Sequence, residues 1–148
     1  MKKLLNKNGF AIIMLLSAVV LASILLDACV LKISSFSSSI DGIDAAFGLA
    51  ENGVFSILLT LGYLLPIVVM ALCKVLFKKG NLQYLLLVIA FVASAILLFK
   101  APELAKVESF GVSVTLAKAG YELAIGPIIG AVASIFGALV SAYKLCVK

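Results

Sequence analysis

The chain has 148 residues, of which 64% are hydrophobic and only 13% charged, and its mean hydropathy is +1.27. This composition excludes an ordinary soluble domain, which is about half apolar and a quarter charged. All basic residues are lysines, the net charge is +5, and the chain has no histidine, the commonest acid–base group and metal ligand at neutral pH.

Four apolar stretches are each long enough to cross the hydrocarbon core of a bilayer, which needs about 20 apolar residues per helix. Inside lipid every backbone polar group must be satisfied within the protein, so these stretches should be helical. We therefore predict one integral membrane domain, residues 1–148, with an all-α fold: a four-helix transmembrane bundle. The predicted spans are 10–31, 54–77, 82–99 and 123–145.

The charged residues divide between the connections in a way that predicts topology. Eight lysines flank the first span, the turn after the second span and the end of the fourth, whereas all seven acidic residues lie in or beside 32–53 and 100–121. By the positive-inside rule this predicts a multi-pass protein of the cell membrane with both termini cytoplasmic and these two loops outside. Because the lysines act as topology signals, the positive charge predicts no nucleic-acid partner; the bilayer itself is the expected environment.

The N-terminal segment has a second interpretation. "MKK", an apolar run and "LLDAC" imitate a lipoprotein signal that is cleaved before Cys29, which would leave a lipid-anchored protein with three spans. Asp27 argues against cleavage, because that position usually holds a small neutral residue. Retention of the first span is our interpretation, and cleavage is the alternative.

The two loops resemble each other. A shift of 74 positions aligns residues 32–50 with 106–124 and gives seven identical pairs, among them Lys32 with Lys106 and Phe36 with Phe110. We interpret this as a duplicated helical hairpin, with repeats 1–74 and 75–148, rather than as coincidence between two serine-rich loops. Two hairpins of equal orientation are related by a pseudo-twofold axis along the membrane normal.

The loops also show secondary-structure patterns. Residues 107–116 alternate apolar with small or polar side chains, which predicts a strand, and residues 36–40 do so more weakly. Two equivalent strands are expected to pair into one small outer β-ribbon. Residues 40–53 place Ile40, Ile43 and Phe47 on one face, which predicts a short amphipathic helix.

Candidate interaction residues lie in these loops. Asp27 is expected near the outer interface, in a structural role rather than in proton or ion handling. Asp41, Asp44 and Glu51 are too sparse for the six to eight oxygen ligands of calcium, so we interpret them as a solvated acidic face. No catalytic, metal or cofactor site is predicted. The candidate interaction residues are Phe36, Asp41, Asp44, Phe47 and Phe110.

The three cysteines predict no disulfide framework. Cys29 is expected to face outward, whereas Cys73 and Cys146 lie near the inner ends of their spans. Cys73 and Cys146, which hold near-equivalent places in the two repeats, are interpreted as small apolar residues that fill space.

The fourth span carries small residues at intervals that allow close helix approach in lipid. We predict that they pack the span against its own bundle; a homodimer face is the alternative. Pro66 is expected to kink the second span, with Gly62 relieving the clash. The predicted packing residues are Gly126, Gly130, Ser134, Gly137 and Ser141.

Short motifs of the chain resemble a known group. "SIDGIDAAFG" at 39–48, the proline-bearing second span and "AIGPIIGAVASIFGALVSAYKL" at 124–145 resemble small four-span membrane proteins of low-GC Gram-positive bacteria and mollicutes, which are functionally uncharacterised. The likeness implies no substrate and no catalytic residue. The layout is also similar to the claudin tetraspan architecture, although the W…C…C loop signature is absent.

Two functions from different classes fit this pattern. One is a non-enzymatic membrane scaffold or accessory protein whose outer loops bind another membrane protein or a second copy of the chain. The alternative is a small channel or transporter that uses the cleft between the hairpins. A water-filled path needs stacked polar groups, whereas the hydroxyls expected at depth can bond to carbonyls of their own helices. We therefore favour the scaffold. The deep hydroxyl residues are Ser17, Ser23, Thr60, Ser94 and Ser134.

Overall fold

The computed structural model describes residues 2–33, 35–49, 53–76, 81–109 and 111–147, and most of these are helical. The first half of the chain runs α1 (Lys2–Ala22), a 3-10 turn (Ser23–Leu25), β1 (Asp27–Ile33), β2 (Phe36–Asp41), α2 (Gly42–Phe47), β3 (Gly53–Val54) and α3 (Ile57–Leu76). The second half runs α4 (Asn81–Phe99), α5 (Ala101–Leu104), β4 (Lys106–Ser109), β5 (Val112–Thr115), β6 (Glu122–Leu123) and α6 (Ile125–Cys146).

Four helices are long and apolar enough to cross a membrane, which indicates a multi-pass membrane protein. Their exposed positions carry large apolar side chains such as Leu61, Leu72, Ile96 and Leu139. Their buried positions include many alanine, glycine and serine residues. Helices surrounded by lipid rather than water are expected to have this arrangement, with small residues inside and large apolar residues outside.

The long helices contact each other in a closed order. α1 contacts α3 and α6, and α4 contacts the same two helices. The buried side chains form two clusters, one around Tyr63 and Leu98 and the other around Ile13 and Phe91. All six strands connect the C-terminal ends of α1 and α4 to the N-terminal ends of α3 and α6. We call this the sheet end; the other ends of the four helices form the opposite end.

The first helix lies nearer the N-terminus than the predicted span, because it begins at Lys2 and not at residue 10. We expected a helix over 10–31, but α1 ends at Ala22, and β1 begins at Asp27. An apolar run alone does not separate a helix from a buried strand, and the segment after Asp27 is buried at Ala28 and Cys29 as a strand. The helices α3, α4 and α6 lie within three residues of the predicted 54–77, 82–99 and 123–145.

The strands form two sheets, so the prediction of a single ribbon, within an otherwise all-α fold, is wrong. One sheet has the order β2–β1–β6 and the other the order β3–β4–β5, all antiparallel. Each sheet contains a hairpin from one half of the chain and a two-residue strand from the other half. The two strands of each hairpin pair with each other, β1 with β2 and β4 with β5. The short strand of the other half then pairs with the remaining side of β1 or β4.

The second loop turns where a continuous strand was predicted. Ser109 pairs with Val112, and Gly111 adopts a φ of +76° that favours glycine. In the first loop Ile33 pairs with Phe36. The two hairpin turns are thus 76 positions apart rather than the 74 of the sequence alignment. Phe110 lies outside the described residues, so its predicted equivalence to Phe36 stays a prediction.

The short helix predicted after the first strand is present as α2. Ile43 packs against the buried cluster around Tyr63, and the helix ends at Gly48, whose φ is +67°. A Cβ atom at Gly48 would lie 2.5 Å from the carbonyl carbon of Val54. Glycine is therefore required here both for the left-handed cap and for the close approach to β3.

Candidate functional site

A buried hydroxyl joins three of the long helices. Pro66 lies inside α3, and it has no N–H to offer to the carbonyl of Gly62, four residues earlier. The hydroxyl of Ser94 in α4 donates to that carbonyl oxygen. Ser134 Oγ in α6 lies 3.2 Å from Ser94 Oγ and 2.8 Å from the Gly130 carbonyl oxygen. The arrangement satisfies the carbonyl that the proline leaves open, using a neighbouring helix.

The other deep hydroxyls behave as the sequence predicts. Ser17 donates to the Ile13 carbonyl at 2.8 Å, and Ser23 donates to the Val20 carbonyl at 2.6 Å. Thr60 lies 2.8 Å from the Ser56 carbonyl oxygen within its own segment. Bonds of this kind occupy these hydroxyls on carbonyls of their own segments. Ser94 differs in donating across to α3, and Thr60 Oγ1 also lies 3.2 Å from the Ala46 carbonyl oxygen of α2.

The five predicted packing residues of α6 are all buried. A Cβ at Gly126 would lie 2.8 Å from the Asp27 carbonyl oxygen, and a Cβ at Gly130 would lie 2.6 Å from Ser23 Oγ. A Cβ at Gly137 would lie 2.5 Å from a ring carbon of Phe91. Glycine thus permits α6 to approach α1 and α4 closely. Ser134 and Ser141 are fully buried on the same helix.

Two buried hydroxyls have no hydrogen-bond partner among the described residues: those of Tyr63 in α3 and Ser141 in α6. Both side chains are fully buried. Tyr63 belongs to the cluster nearer the sheet end. A buried unpaired hydroxyl costs about 1–3 kcal/mol, so both positions favour an apolar side chain of the same shape.

The first sheet has a free edge. β2 pairs with β1 on one side, and the strand order places no described strand on its other side. Ser37 and Ser39 are exposed, whereas Ser38 and Ile40 are partly buried. An edge strand presents backbone N–H and C=O groups that can pair with another chain. β5 forms the corresponding edge of the second sheet, with Val112 63% exposed.

Two carboxyl groups meet beside this edge. Asp27 lies opposite Asp41 in the β1–β2 pairing. A hydrogen bond with the Asp27 side chain raises the pKa of Asp41, and desolvation and the negative charges of Asp27 and Asp44 raise it further. Asp41 is exposed and Asp44 is partly buried. The candidate acidic residues are therefore neighbours, but Glu51 lies outside the described residues.

The aromatic candidates are only partly described. Phe47, the last residue of α2, stacks on Phe55 with ring centroids 6.1 Å apart. The two side chains are 40% and 52% exposed, respectively. They form an exposed apolar pair beside the start of α3, and Phe55 was missed by the sequence reasoning. The side chain of Phe36 lies outside the description, as does Phe110.

The cysteines differ in exposure. Cys29 lies in β1 at the sheet end, where it is fully buried, and burial raises the pKa of its thiol to about 12. Cys73 is buried and Cys146 is exposed. Within the described ranges no three His, Cys, Asp or Glu side chains are placed to hold a metal ion. The chemistry on offer at the sheet end is thus backbone pairing, carboxylates and exposed aromatic surface.

Comparisons with protein families, with curated proteins and with solved structures found no match for this chain. The function is therefore inferred from the geometry of the sheet end and of the helix contacts.

Proposed function

We propose that the chain is a non-enzymatic membrane scaffold or accessory protein that binds another membrane protein, or a second copy of itself, through its sheet end. The observation that carries the proposal is the free edge of β2 (Phe36–Asp41), which has one neighbouring strand among the residues that the structure describes. Strand addition to such an edge supplies affinity through main-chain hydrogen bonds.

Orientation supports this use of the sheet end. The lysines at positions 2, 3, 7, 74 and 144 belong to the opposite end, and the described acidic residues belong to the sheet end. By the positive-inside rule the opposite end is cytoplasmic, with both termini, and the sheet end faces outward. The free edge then lies where an extracellular segment of a partner can reach it.

The order of elements supports an internal duplication. Each half contains, in this order, a long helix, a short helical turn, a β-hairpin, a short strand and a long helix, and the first half adds α2 between its hairpin and its short strand. The exchanged strands β3 and β6 occupy corresponding places, each pairing with the first strand of the other half's hairpin. A pseudo-twofold arrangement of two hairpins along the membrane normal accounts for this exchange, with 1–74 and 75–148 as the repeats.

The helix interior favours binding over transport. Its widest side chains, Tyr63 and Phe91, are fully buried, and Gly137 packs directly on the Phe91 ring. Ser94 and Ser134 are engaged with each other and with backbone carbonyls. A conducting path needs polar groups free to replace water around the solute.

Site-directed photocrosslinking in native membranes tests the proposal. A photoreactive residue at Ser39, on the free edge, is expected to give one discrete adduct, identified by mass spectrometry. The matched control is the same residue at Lys118, which is exposed at the sheet end but lies in a turn. Ser39→Lys, which places a charge on the edge, is expected to abolish binding with the fold unchanged.

Two results would overturn the proposal. Equal adducts at Ser39 and Lys118 would mean that contact at the edge is unspecific. Ion flux from the purified protein in liposomes, lost on bulky substitution of Ser94, would instead establish a channel. Orientation is checked separately in a Cys146→Ala background, where an impermeant thiol reagent should label Ser113→Cys and not Asn81→Cys in intact cells.

A further inference from the structure

A cavity of about 310 Å³ lies between the first sheet and the start of α6. Its lining includes charged side chains of both signs, Asp27, Lys32 and Glu122, together with the apolar side chains of Ile125 and Ile128. The charged groups belong to β1 and β6, whereas the proposed partner site is the outer edge of β2. Asp27 connects the two features through its contact with Asp41 at the end of β2.

A bulge in β1 brings the charged groups onto one face. Asp27 pairs with Asp41 and Cys29 pairs with Ile40, so Ala28 is an extra residue in the strand. Side chains alternate along a strand, and the extra residue shifts Asp27 to the face that carries Val30 and Lys32. The other face carries Cys29, which is buried.

The short strand β6 adds the third charge. Glu122 lies directly opposite Val30 in the β1–β6 pairing, and residues directly opposite share a face. The exchange of strands between the halves thus places a carboxylate of the second half beside a lysine of the first half. Two carboxylates and one ammonium group surround the same cavity.

The remaining wall is apolar and continuous with the span. Ile125 and Ile128 lie in the first turn of α6 and are 59% and 41% exposed. The cavity is consequently charged toward the sheet and apolar toward the helices that are long enough to cross the membrane. That gradient matches the gradient of a phospholipid from headgroup to acyl chain.

We propose that this cavity binds a phospholipid whose headgroup carries both a phosphate and a primary ammonium, the phosphoethanolamine class. Lys32 pairs with the phosphate, Asp27 and Glu122 pair with the ammonium, and an acyl chain lies along Ile125 and Ile128. The two carboxylates disfavour an anionic lipid that has no ammonium group. The apolar wall favours the lipid over the free headgroup. The lipid contacts a face of the first sheet, whereas a partner strand would pair with the edge of β2.

The test measures lipid retention by the full chain in nanodiscs. The protein is placed in phosphatidylcholine containing equal small amounts of phosphatidylethanolamine and phosphatidylglycerol, and the co-released lipids are quantified by native mass spectrometry. Phosphatidylethanolamine is expected to be enriched roughly tenfold over both other lipids, which corresponds to one good charged contact. Free phosphoethanolamine should not compete at equal concentration.

Two variants test the ammonium contacts and the phosphate contact separately. Asp27→Asn with Glu122→Gln is expected to remove the preference for phosphatidylethanolamine over phosphatidylcholine. Lys32→Gln is expected to lower retention of all three lipids roughly tenfold, because all carry the phosphate. Glu108→Gln with Lys118→Gln changes exposed charges outside the cavity and should leave retention unchanged. Circular dichroism verifies that each variant is folded. If the double variant is not folded, Lys32→Gln alone tests the headgroup contacts.

Three results would overturn the proposal. Equal retention of the three lipids by the natural protein would mean that the cavity does not read the headgroup. Preferential retention of phosphatidylglycerol would mean recognition of negative charge alone. Competition by free phosphoethanolamine as strong as by the lipid would mean that the apolar wall contributes nothing. Photocrosslinking at Ser39 tests partner binding separately, because its expected product is an adduct with a protein and not with a lipid.

Discussion

The Ser94 hydroxyl in α4 donates its hydrogen bond to the Gly62 carbonyl in α3, the carbonyl that Pro66 leaves without a helical partner. The three residues form a single unit across two helices. The proline creates an open acceptor within the span, and the serine satisfies it from outside the helix. Lipid offers no water for the same purpose, so the acceptor depends on its protein partner.

Removal of this donor should destabilise the fold. Ser94→Ala is expected to lower the free energy of unfolding by about 1 kcal/mol, measured by titration with a denaturing detergent. In a Pro66→Ala background the loss should shrink, because the new N–H at position 66 can serve the Gly62 carbonyl. Ser17→Ala is the control. The Ile13 carbonyl that the Ser17 hydroxyl contacts lies four residues earlier in the same helix, so it also accepts a helical backbone N–H and does not depend on the hydroxyl. An equal loss in both backgrounds would refute the coupling.

The contact between α6 and α4 leaves no room for a methyl group at Gly137. Gly137→Ala is expected to cost about 1–3 kcal/mol, because the new Cβ would meet the Phe91 ring at 2.5 Å. Gly9→Ala is the matched control in α1. Its Cβ would meet only the flexible end of the Lys144 side chain, and alanine favours the helix by about 1 kcal/mol. Detergent denaturation of both variants decides: similar stability losses would contradict the packing argument.

Acidification should stabilise the pairing of β1 with β2. The pKa of Asp41 is raised in the folded protein, chiefly by its hydrogen bond with Asp27, so the folded state holds this proton more tightly than the unfolded state. The resulting stabilisation is complete below the ordinary Asp pKa of about 3.9 and is lost as the pH rises through the raised value. Thermal unfolding against pH should therefore show higher stability on the acidic side of this window.

Asp41→Asn is expected to remove this contribution and flatten that part of the profile. Glu103→Gln removes an exposed carboxyl of α5 and should keep the slope of the natural protein. A profile for Asp41→Asn that parallels that of the natural protein would show that Asp41 does not titrate as described.

The cysteine thiols should differ in their reactivity toward a maleimide reagent. At pH 8 the buried Cys29, with its pKa raised to about 12, holds almost no thiolate, whereas Cys146 is exposed. N-ethylmaleimide should modify Cys146 in the folded protein and all three cysteines after denaturation, as read by intact mass. Rapid modification of Cys29 without denaturation would mean that the first sheet does not cover it.

The sequence predicts what depends on local pattern and misses what depends on distant pairing. The apolar runs locate α3, α4 and α6, and small residues at intervals of four locate the buried ridge of α6. The apolar run of the first span did not reveal that a strand replaces the helix after Leu25, because burial of β1 depends on distant parts of the chain. The pairing of Glu122 with Val30 has no local signal in either segment.

The candidate site was predicted in the same uneven way. Asp41 and Asp44 were recognised as an acidic face, but the meeting of Asp41 with Asp27 follows from the bulge at Ala28. Ser94 was expected to bond within its own helix. A signal for its true partner was present, since a proline at position 66 always opens the carbonyl at position 62, but the pairing of α3 with α4 was needed to connect them.

The exchange of β3 and β6 has a consequence for how the chain is assembled. After synthesis of the first 76 residues, β3 has no partner and β1 lacks its second neighbour, because β4 and β6 are still to come. Neither sheet can be completed until the second hairpin has entered the same bilayer. The covalent link between α3 and α4 keeps the halves at high effective concentration. Co-expressed as two separate polypeptides, the halves would have to find each other by diffusion in the membrane plane, and each would meet copies of itself that carry the wrong short strand.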